Sequence, residues 1–240
     1  MKIAVLTYDS EHRKSQDVLM RLAAFGYNEV QVVAQPWIEN PKNHIPLISH
    51  RPGEPLWPCQ PIEGLPPYKL CMRFGWSYVQ REHKDFRLED NEIGVVAGAR
   101  VLPKDVTDSG IIVNAHPALL PYGRGLDSMK WCLLHGNKIG VTAHILDEQA
   151  DLGYVIDSAA TPIYPTDTFH AFAMRQYEQE IDLLIKSIST VSGRTKESFR
   201  KIEIMEDIED TWDATRRMSH QYETLLMGAF EAYKRKSYGM

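Results

Sequence analysis

Only three cysteines, Cys59, Cys71 and Cys132, occur in 240 residues. Their odd number and the lack of a Cys-x-x-Cys pair leave no disulfide framework and no thiolate zinc site to build on, which fits a reducing compartment. Positive charge is in short supply as well. The 27 Lys and Arg are outnumbered by 32 Asp and Glu, for a net charge of -5. The chain therefore has no global electrostatic footprint for nucleic acid, and an anionic ligand must be held by a local site. Long apolar runs are missing: the stretch from Met1 to Thr7 enters polar sequence by Asp9, too short for a signal peptide or a membrane span. The expectation is a soluble, cytoplasmic protein that engages neither nucleic acid nor membrane. Its His, Asp and Glu residues have no evident metal-ligand spacing, so no metal is expected.

What is present is the material of an α/β domain. Residues 2–8 form a short apolar run with β-branched character, and Val18, Leu19, Leu22 and Ala23 recur at helical spacing between Ser15 and Phe25, with Gly26 as a stop. A second strand follows at residues 29–34. Strand, helix and strand within about thirty residues make a βαβ unit, which predicts an open, mostly parallel sheet with flanking helices. Nine of the fourteen prolines fall in residues 36–68, which read as a loop-rich insertion. Further strands are expected at 93–97, 111–114, 141–146 and 154–159, and a helix at 126–135 ending on Gly136. After Asp167, Phe169, Phe172, Ala173, Ile181, Leu184 and Ile185 follow helical spacing, and helical composition returns from Ile208 to Tyr233. The organisation read from this is a catalytic domain over 1–165 and an α-helical appendage over 166–240, whose apolar face can pack on its own domain or on a second copy as a homodimer.

The informative segment runs from Val113 to Gly125. Asn114 and His116 stand two residues apart, so on a strand they share one face. Pro117 ends the strand and leaves both side chains at its carboxyl end, where open α/β sheets bind ligands. A second cluster, Val141-Thr142-Ala143-His144 followed by the acidic loop Asp147-Glu148-Gln149-Ala150-Asp151-Leu152-Gly153, places an acid within reach of His116 from across the sheet. His12, Arg13 and Lys14 precede a helix, whose N-terminus can hold a phosphate. Taken one at a time, each of these residues has an ordinary structural reading: a core histidine for His116 or His144, a turn residue for Asn114, a loop acid for Asp151, a solvated charge run for 12–14.

Taken in order, Asn-x-His-Pro-x-Leu-Leu-Pro at 114–121, Arg124-Gly125, Gly-Val-Thr-x-His at 140–144 and Asp-x-Gly at 151–153 resemble the folate-dependent formyltransferase family. The run Val95 to Pro103 is similar to the family strand whose following backbone holds the pterin ring. The resemblance is dense over residues 93–157 and faint elsewhere. It implies a Rossmann-like fold, 10-formyltetrahydrofolate as co-substrate, and Asn114, His116 and Asp151 as the catalytic residues. Donor contacts are expected from Ala99, Arg100, Val101, Leu102, Asp147 and Glu148, acceptor contacts from Tyr122 and Arg124 and, through the helix N-terminus, from His12, Arg13 and Lys14, and support from Thr142, His144 and Gly153.

Departures from the family sort the acceptor amine. Thr7-Tyr8-Asp9-Ser10-Glu11-His12 stands where glycinamide ribonucleotide transformylases carry a Gly- and Ser-rich phosphate loop. A helix-like end at net negative charge stands where methionyl-tRNA formyltransferases carry a β-rich domain and basic surfaces. The loop Pro121-Tyr122-Gly123-Arg124-Gly125 is more similar to that of the sugar formyltransferases. The resemblance thus points to a nucleotide-linked amino sugar. The alternatives are a phosphoribosylglycinamide-type or other small-molecule amine, a formyltetrahydrofolate hydrolase, and a folate- or nucleotide-binding protein without turnover.

Overall fold

In the computed structural model, the structure is described for residues 1–38, 45–54, 57–58, 64–149, 151–203 and 217–239. The elements follow in the order β1 (Ile3–Tyr8), α1 (Arg13–Ala24), β2 (Val30–Gln35), α2 (Pro67–Phe74), β3 (Ser77–Gln80), β4 (Ile93–Val96), α3 (Lys104–Thr107), β5 (Ile111–His116), α4 (Ser128–Leu134), β6 (Gly140–Ile145), β7 (Tyr154–Ala160), α5 (Phe169–Val191), β8 (Arg200–Lys201), α6 (His220–Glu223) and α7 (Leu226–Ser237). The strands make one sheet in the order β3-β2-β1-β4-β5-β6-β7-β8. Pairing is parallel from β3 through β5 and antiparallel from β5 through β8. The βαβ start of the chain sets the parallel half. The antiparallel half begins where β6 returns alongside β5.

Alternation along the strands divides the sheet into two faces. Ile3, Val5, Val113, Ala115, Val141, Ala143 and Ile145 pack with Val18, Leu19 and Leu22 of α1 and with Ile181, Leu184, Ile185 and Ile188 of α5. The opposite face carries Ala4, Leu6, Val33, Val96 and Ile112, covered by Phe86, Leu88, Leu102 and Val106. Asn114 and His116, in phase with Ile112, belong to this second face.

The helix α5 has 23 residues and is capped by the Thr168 hydroxyl, which accepts from Ala171 N at 3.1 Å. It begins just past the boundary expected at 165/166 and lies on β5, β6 and β7. Its Gln176 side chain donates to Pro117 O at 3.1 Å and Gly140 O at 2.9 Å, satisfying carbonyls at the end of β5 and the start of β6. A third cluster joins Met129, Cys132 and Leu133 of α4 to Phe169 and Phe172 of α5 and to Leu226 and Phe230 of α7. The free thiols Cys71 and Cys132 are buried.

Two boundaries differ from the sequence reading. The strand expected at 111–114 continues to His116, and the helix expected from Leu126 starts at Ser128 because Asp127 adopts φ +52°, outside the helical region. The stretch expected to be helical from Ile208 lies outside the described residues as far as 216. Beyond it, α6 and α7 are helical. Among the described residues no helix is long and apolar enough to cross a membrane.

Leu184 is fully buried under the sheet, so Leu184→Ala is expected to destabilise the domain by about 3 kcal/mol in denaturant unfolding. A loss under about 1 kcal/mol would place α5 outside the main core.

Candidate active site

Extended backbone through β5 puts Asn114 and His116 on one face. The antiparallel register then sets His144 opposite Asn114 and Thr142 opposite His116. The loop after β6 folds back over this face. Leu152 O lies 2.8 Å from His144 Nδ1, and Asp151 Oδ1 lies 3.2 Å from His116 Nδ1. That reversal depends on unusual backbone: Asp151 has φ +55° and Gly153 φ +98°. A Cβ on Gly153 would lie 2.0 Å from Ile145 O, so only glycine fits there.

The buried His116 ring is held on both nitrogens. Its Nε2 lies 2.5 Å from Gly123 O, and Asp151 faces its Nδ1. Both partners are acceptors, so the doubly protonated imidazolium is the form that satisfies both. Burial alone would lower the His116 pKa, but the Asp151 carboxylate outweighs it and the net shift is upward. Burial would likewise raise Asp151, yet the charge and hydrogen bond of His116, with Gly125 N donating to Asp151 Oδ2 at 2.7 Å, hold its carboxyl well below the usual range.

His144 is in the opposite state. It is fully buried, and burial lowers its pKa to about 4. Its Nδ1 faces a carbonyl and must carry the proton, so its Nε2 is a bare acceptor. The Asn114 Nδ2, 3.3 Å away, therefore donates to it. This contact fixes which way the Asn114 amide points and leaves its second N–H for a ligand. Thr142 accepts from Leu120 N at 3.0 Å and donates to Ala118 O at 2.8 Å, fastening the loop that leaves β5.

Ala99, Arg100, Val101 and Leu102 follow β4 on the same face. Their backbone N–H and C=O groups make no backbone hydrogen bond among the described residues. Leu102 is buried in the apolar cluster with Val96 and Ile112, and Leu146 packs against that cluster. Arg100 reaches Pro36 O at 3.1 Å. Asp147 and Glu148 line a cavity of about 500 Å³ with Lys104, Ile111, Tyr154 and Lys196, a lining that does not include Asn114, His116 or Asp151. Tyr122, exposed, and Arg124, half-buried, sit in the loop that passes over His116.

The N-terminus of α1 gathers differently from a simple phosphate cradle. His12 Nδ1 lies 2.7 Å from Ser15 Oγ, and burial together with Lys14 and Arg51 lowers its pKa to about 4. Its ring meets Tyr8 edge-on at 5.5 Å, and Tyr8 meets Trp37 at 4.8 Å. Gly98 makes this possible: a Cβ there would come within 3.0 Å of both Tyr8 and His12. Arg13 pairs with Asp17 at 2.7 Å, and Lys14 pairs with Glu180 at 2.6 Å. Arg51 binds the other Glu180 oxygen at 2.6 Å. Burial would raise the Glu180 pKa, but Arg51 and Lys14 hold it at about 2.

Glu180 and Gln176 were not among the residues singled out from sequence. Their signal was two polar residues spaced four apart on the apolar stripe of α5. The roles of Gly123 O and Gly125 N are made by backbone and leave no side-chain signal.

Residues 78–188 match the formyl transferase family. The match covers a little under half of the chain. The methionyl-tRNA formyltransferase of Syntrophus aciditrophicus is 34% identical over 105 residues, which is 42% of this chain and 34% of the relative. The alignment thus spans about a third of that protein's length. The fold is shared with the N-formyltransferase from Helicobacter canadensis, solved with folinic acid and dTDP-3-aminofucose, at TM-score 0.59 and 14% identity over 97% of this chain and 82% of that one. It is shared equally with the phosphoribosylglycinamide formyltransferase from Anaplasma phagocytophilum, at TM-score 0.55 and 20% identity over 86% of this chain and 94% of that one. All of the predicted trio, Asn114, His116 and Asp151, falls inside the family match.

Gly153→Ala is expected to lower stability by at least about 2 kcal/mol and to release Asp151 from His116, as read by unfolding and by loss of the upshifted His116 titration. Unchanged stability, within about 0.5 kcal/mol, would show that the loop does not need this backbone.

Proposed function

We propose that this protein transfers a formyl group from 10-formyltetrahydrofolate to a primary amine, and that the amine belongs to a nucleotide-linked amino sugar. The observation that carries the reaction is the joint geometry of one oriented amide and one buried imidazolium–carboxylate pair at the carboxyl end of β5.

The acceptor nitrogen attacks the formyl carbon, and the carbonyl electrons move to oxygen. Asn114, with one N–H taken by His144, turns the other toward that developing oxyanion. His116 supplies positive charge, and its Nε2–H exchanges the Gly123 carbonyl for the anionic oxygen, a stronger acceptor. Each such donor is worth about 3 kcal/mol in the barrier. Asp151 keeps the imidazole charged, and the proton released by the attacking nitrogen passes to the departing N10 of tetrahydrofolate. Collapse gives a formamide and tetrahydrofolate, so no serine or cysteine nucleophile is called for. Ala99–Leu102 and the Asp147–Glu148 loop are assigned to the donor, and Tyr122, Arg124, His12, Arg13 and Lys14 to the acceptor side.

Four observations support the sugar-nucleotide acceptor. The aromatic contacts of Tyr8, His12 and Trp37 occupy the turn where a glycine-rich phosphate loop would sit in the purine-pathway relatives. The loop 121–125 resembles that of the sugar formyltransferases more than the purine version, and the net charge of -5 disfavours RNA. The Helicobacter canadensis protein, which shares this fold across most of both chains, was solved with such an amino sugar. The methionyl-tRNA relatives, matched over about a third to a half of their length, are the competing reading for the acceptor.

The test supplies 10-formyltetrahydrofolate with a panel of amines and follows tetrahydrofolate. Release only with a nucleotide-linked amino sugar is expected, with Asn114→Ala, His116→Ala and Asp151→Asn each slowing kcat by about 10²-fold or more while the fold persists. Release without amine would make the protein a hydrolase, release with glycinamide ribonucleotide or methionyl-tRNA would replace the acceptor, and wild-type rates in Asp151→Asn would remove that residue from the mechanism.

A further inference from the structure

Both partners that orient the catalytic pair come from one loop. Gly123 O faces His116 Nε2 at 2.5 Å, and Gly125 N donates to Asp151 Oδ2 at 2.7 Å. The upstream end of this loop is fastened to the sheet by Thr142. Its downstream end is fastened by Asp127. That residue adopts φ +52°, a conformation unfavourable for most side chains, and its carboxylate is buried. Asp127 Oδ2 accepts from Met218 N at 2.8 Å, 91 residues away in sequence, while Arg217 stands 3.8 Å from Oδ1.

Met218 is itself anchored. It is fully buried, and the segment that follows is tied to α4 by the wholly buried pair Lys130–Glu223, at 2.5 Å, and by Trp131 against Tyr222 at 5.4 Å. Glu223 also accepts from Leu47 N at 2.8 Å. The C-terminal segment therefore grips the loop at its Asp127 end.

We infer that Asp127 is a positioning residue for formyl transfer: by holding Met218 N it transmits the packing of the C-terminal segment to the loop that aims His116 and Asp151. This rests on the formyltransferase reading of the site. A carboxylate anchored at one end of a short loop restricts the carbonyl at 123 and the amide at 125 together. Release of that end lets both drift, and misplacement of about 1 Å is enough to slow a reaction some 10²-fold. The titratable and charged groups around Asp127 are His50 and Glu54, whose ligand-type atoms lie within 4.8 Å of its own, and Arg217. The groups facing the catalytic pair from other elements are the neutral His144 on β6 and the charged Lys14 on α1 and Glu180 on α5. All of them stay in place in the variants below.

Asp127→Gly accepts the positive φ and removes the acceptor. Asp127→Asn keeps an oxygen for Met218 N. The expected result is a kcat at least about ten-fold lower in the glycine variant, with KM for donor and amine unchanged and the alkaline limb of the kcat profile moved to lower pH, because a loosened Asp151 no longer holds His116 protonated. The asparagine variant restores wild-type behaviour. Amide hydrogen exchange at Gly125 supplies a readout independent of turnover: exchange accelerates in Asp127→Gly and not in Asp127→Asn. A folded glycine variant with wild-type kcat, pH profile and Gly125 exchange overturns the inference, as does an asparagine variant as impaired as the glycine one. Should Asp127→Gly not fold, Asp127→Ser, whose hydroxyl is too short to reach Met218 N, is read in the same way. If no amine is turned over by the wild type, the functional reading fails, while the exchange measurement still decides the anchor.

Discussion

A charged pair buried under a loop is tolerable only if every proton and lone pair in it is matched, and the His116–Asp151 contact sets that demand on everything around it. The carboxylate can reach the imidazole because the loop after β6 doubles back, which takes positive φ at both Asp151 and Gly153. The second ring nitrogen needs an acceptor, which Gly123 provides, and the second carboxylate oxygen needs a donor, which Gly125 provides. Isolated from these partners the pair would neutralise by moving a proton, since desolvation of each ion costs several kcal/mol. Held by them, it stays ionised.

The sheet divides its labour accordingly. One face packs α1 and α5 in a continuous apolar layer, and the rigidity of that layer is what fixes the strands carrying Asn114 and His116. The reversal from parallel to antiparallel pairing at β5 and β6 is the second requirement. It sets a neutral histidine opposite Asn114 and a charged one two residues on, so that neighbouring imidazoles on one face hold opposite protonation states. Burial against a carbonyl makes His144 an acceptor; burial against a carboxylate makes His116 a double donor.

Much of this was legible in the sequence where the period of the backbone carries the information. Asn114 and His116 at i and i+2, followed by Pro117, read directly as neighbours at a strand end, and the strand and helix periodicities located the sheet and α1. The approach of Asp151 was legible through the family resemblance, because no local pattern says that a loop will fold back over a face. Direction was not legible beyond β5, since parallel and antiparallel strands share one period. Nor were long-range partners: Arg13 and Lys14 read as a basic cluster before a helix, yet they meet Asp17 and Glu180, and Glu180 showed itself only as a polar interruption on the stripe of α5. Asp127 read as the second residue of a helix because its positive φ leaves no mark on composition.

The account stands on the protonation of one imidazole. Nitrogen-15 chemical shifts of the His116 ring, followed through a pH titration of the ligand-free protein, report it directly. The account predicts both nitrogens protonated at neutral pH, with deprotonation above the ordinary histidine range and a return to lower pH in Asp151→Asn, as expected for a folded-state pKa raised by its partner. A His116 ring that is neutral at pH 7 in the wild type, with one bare nitrogen, would contradict it.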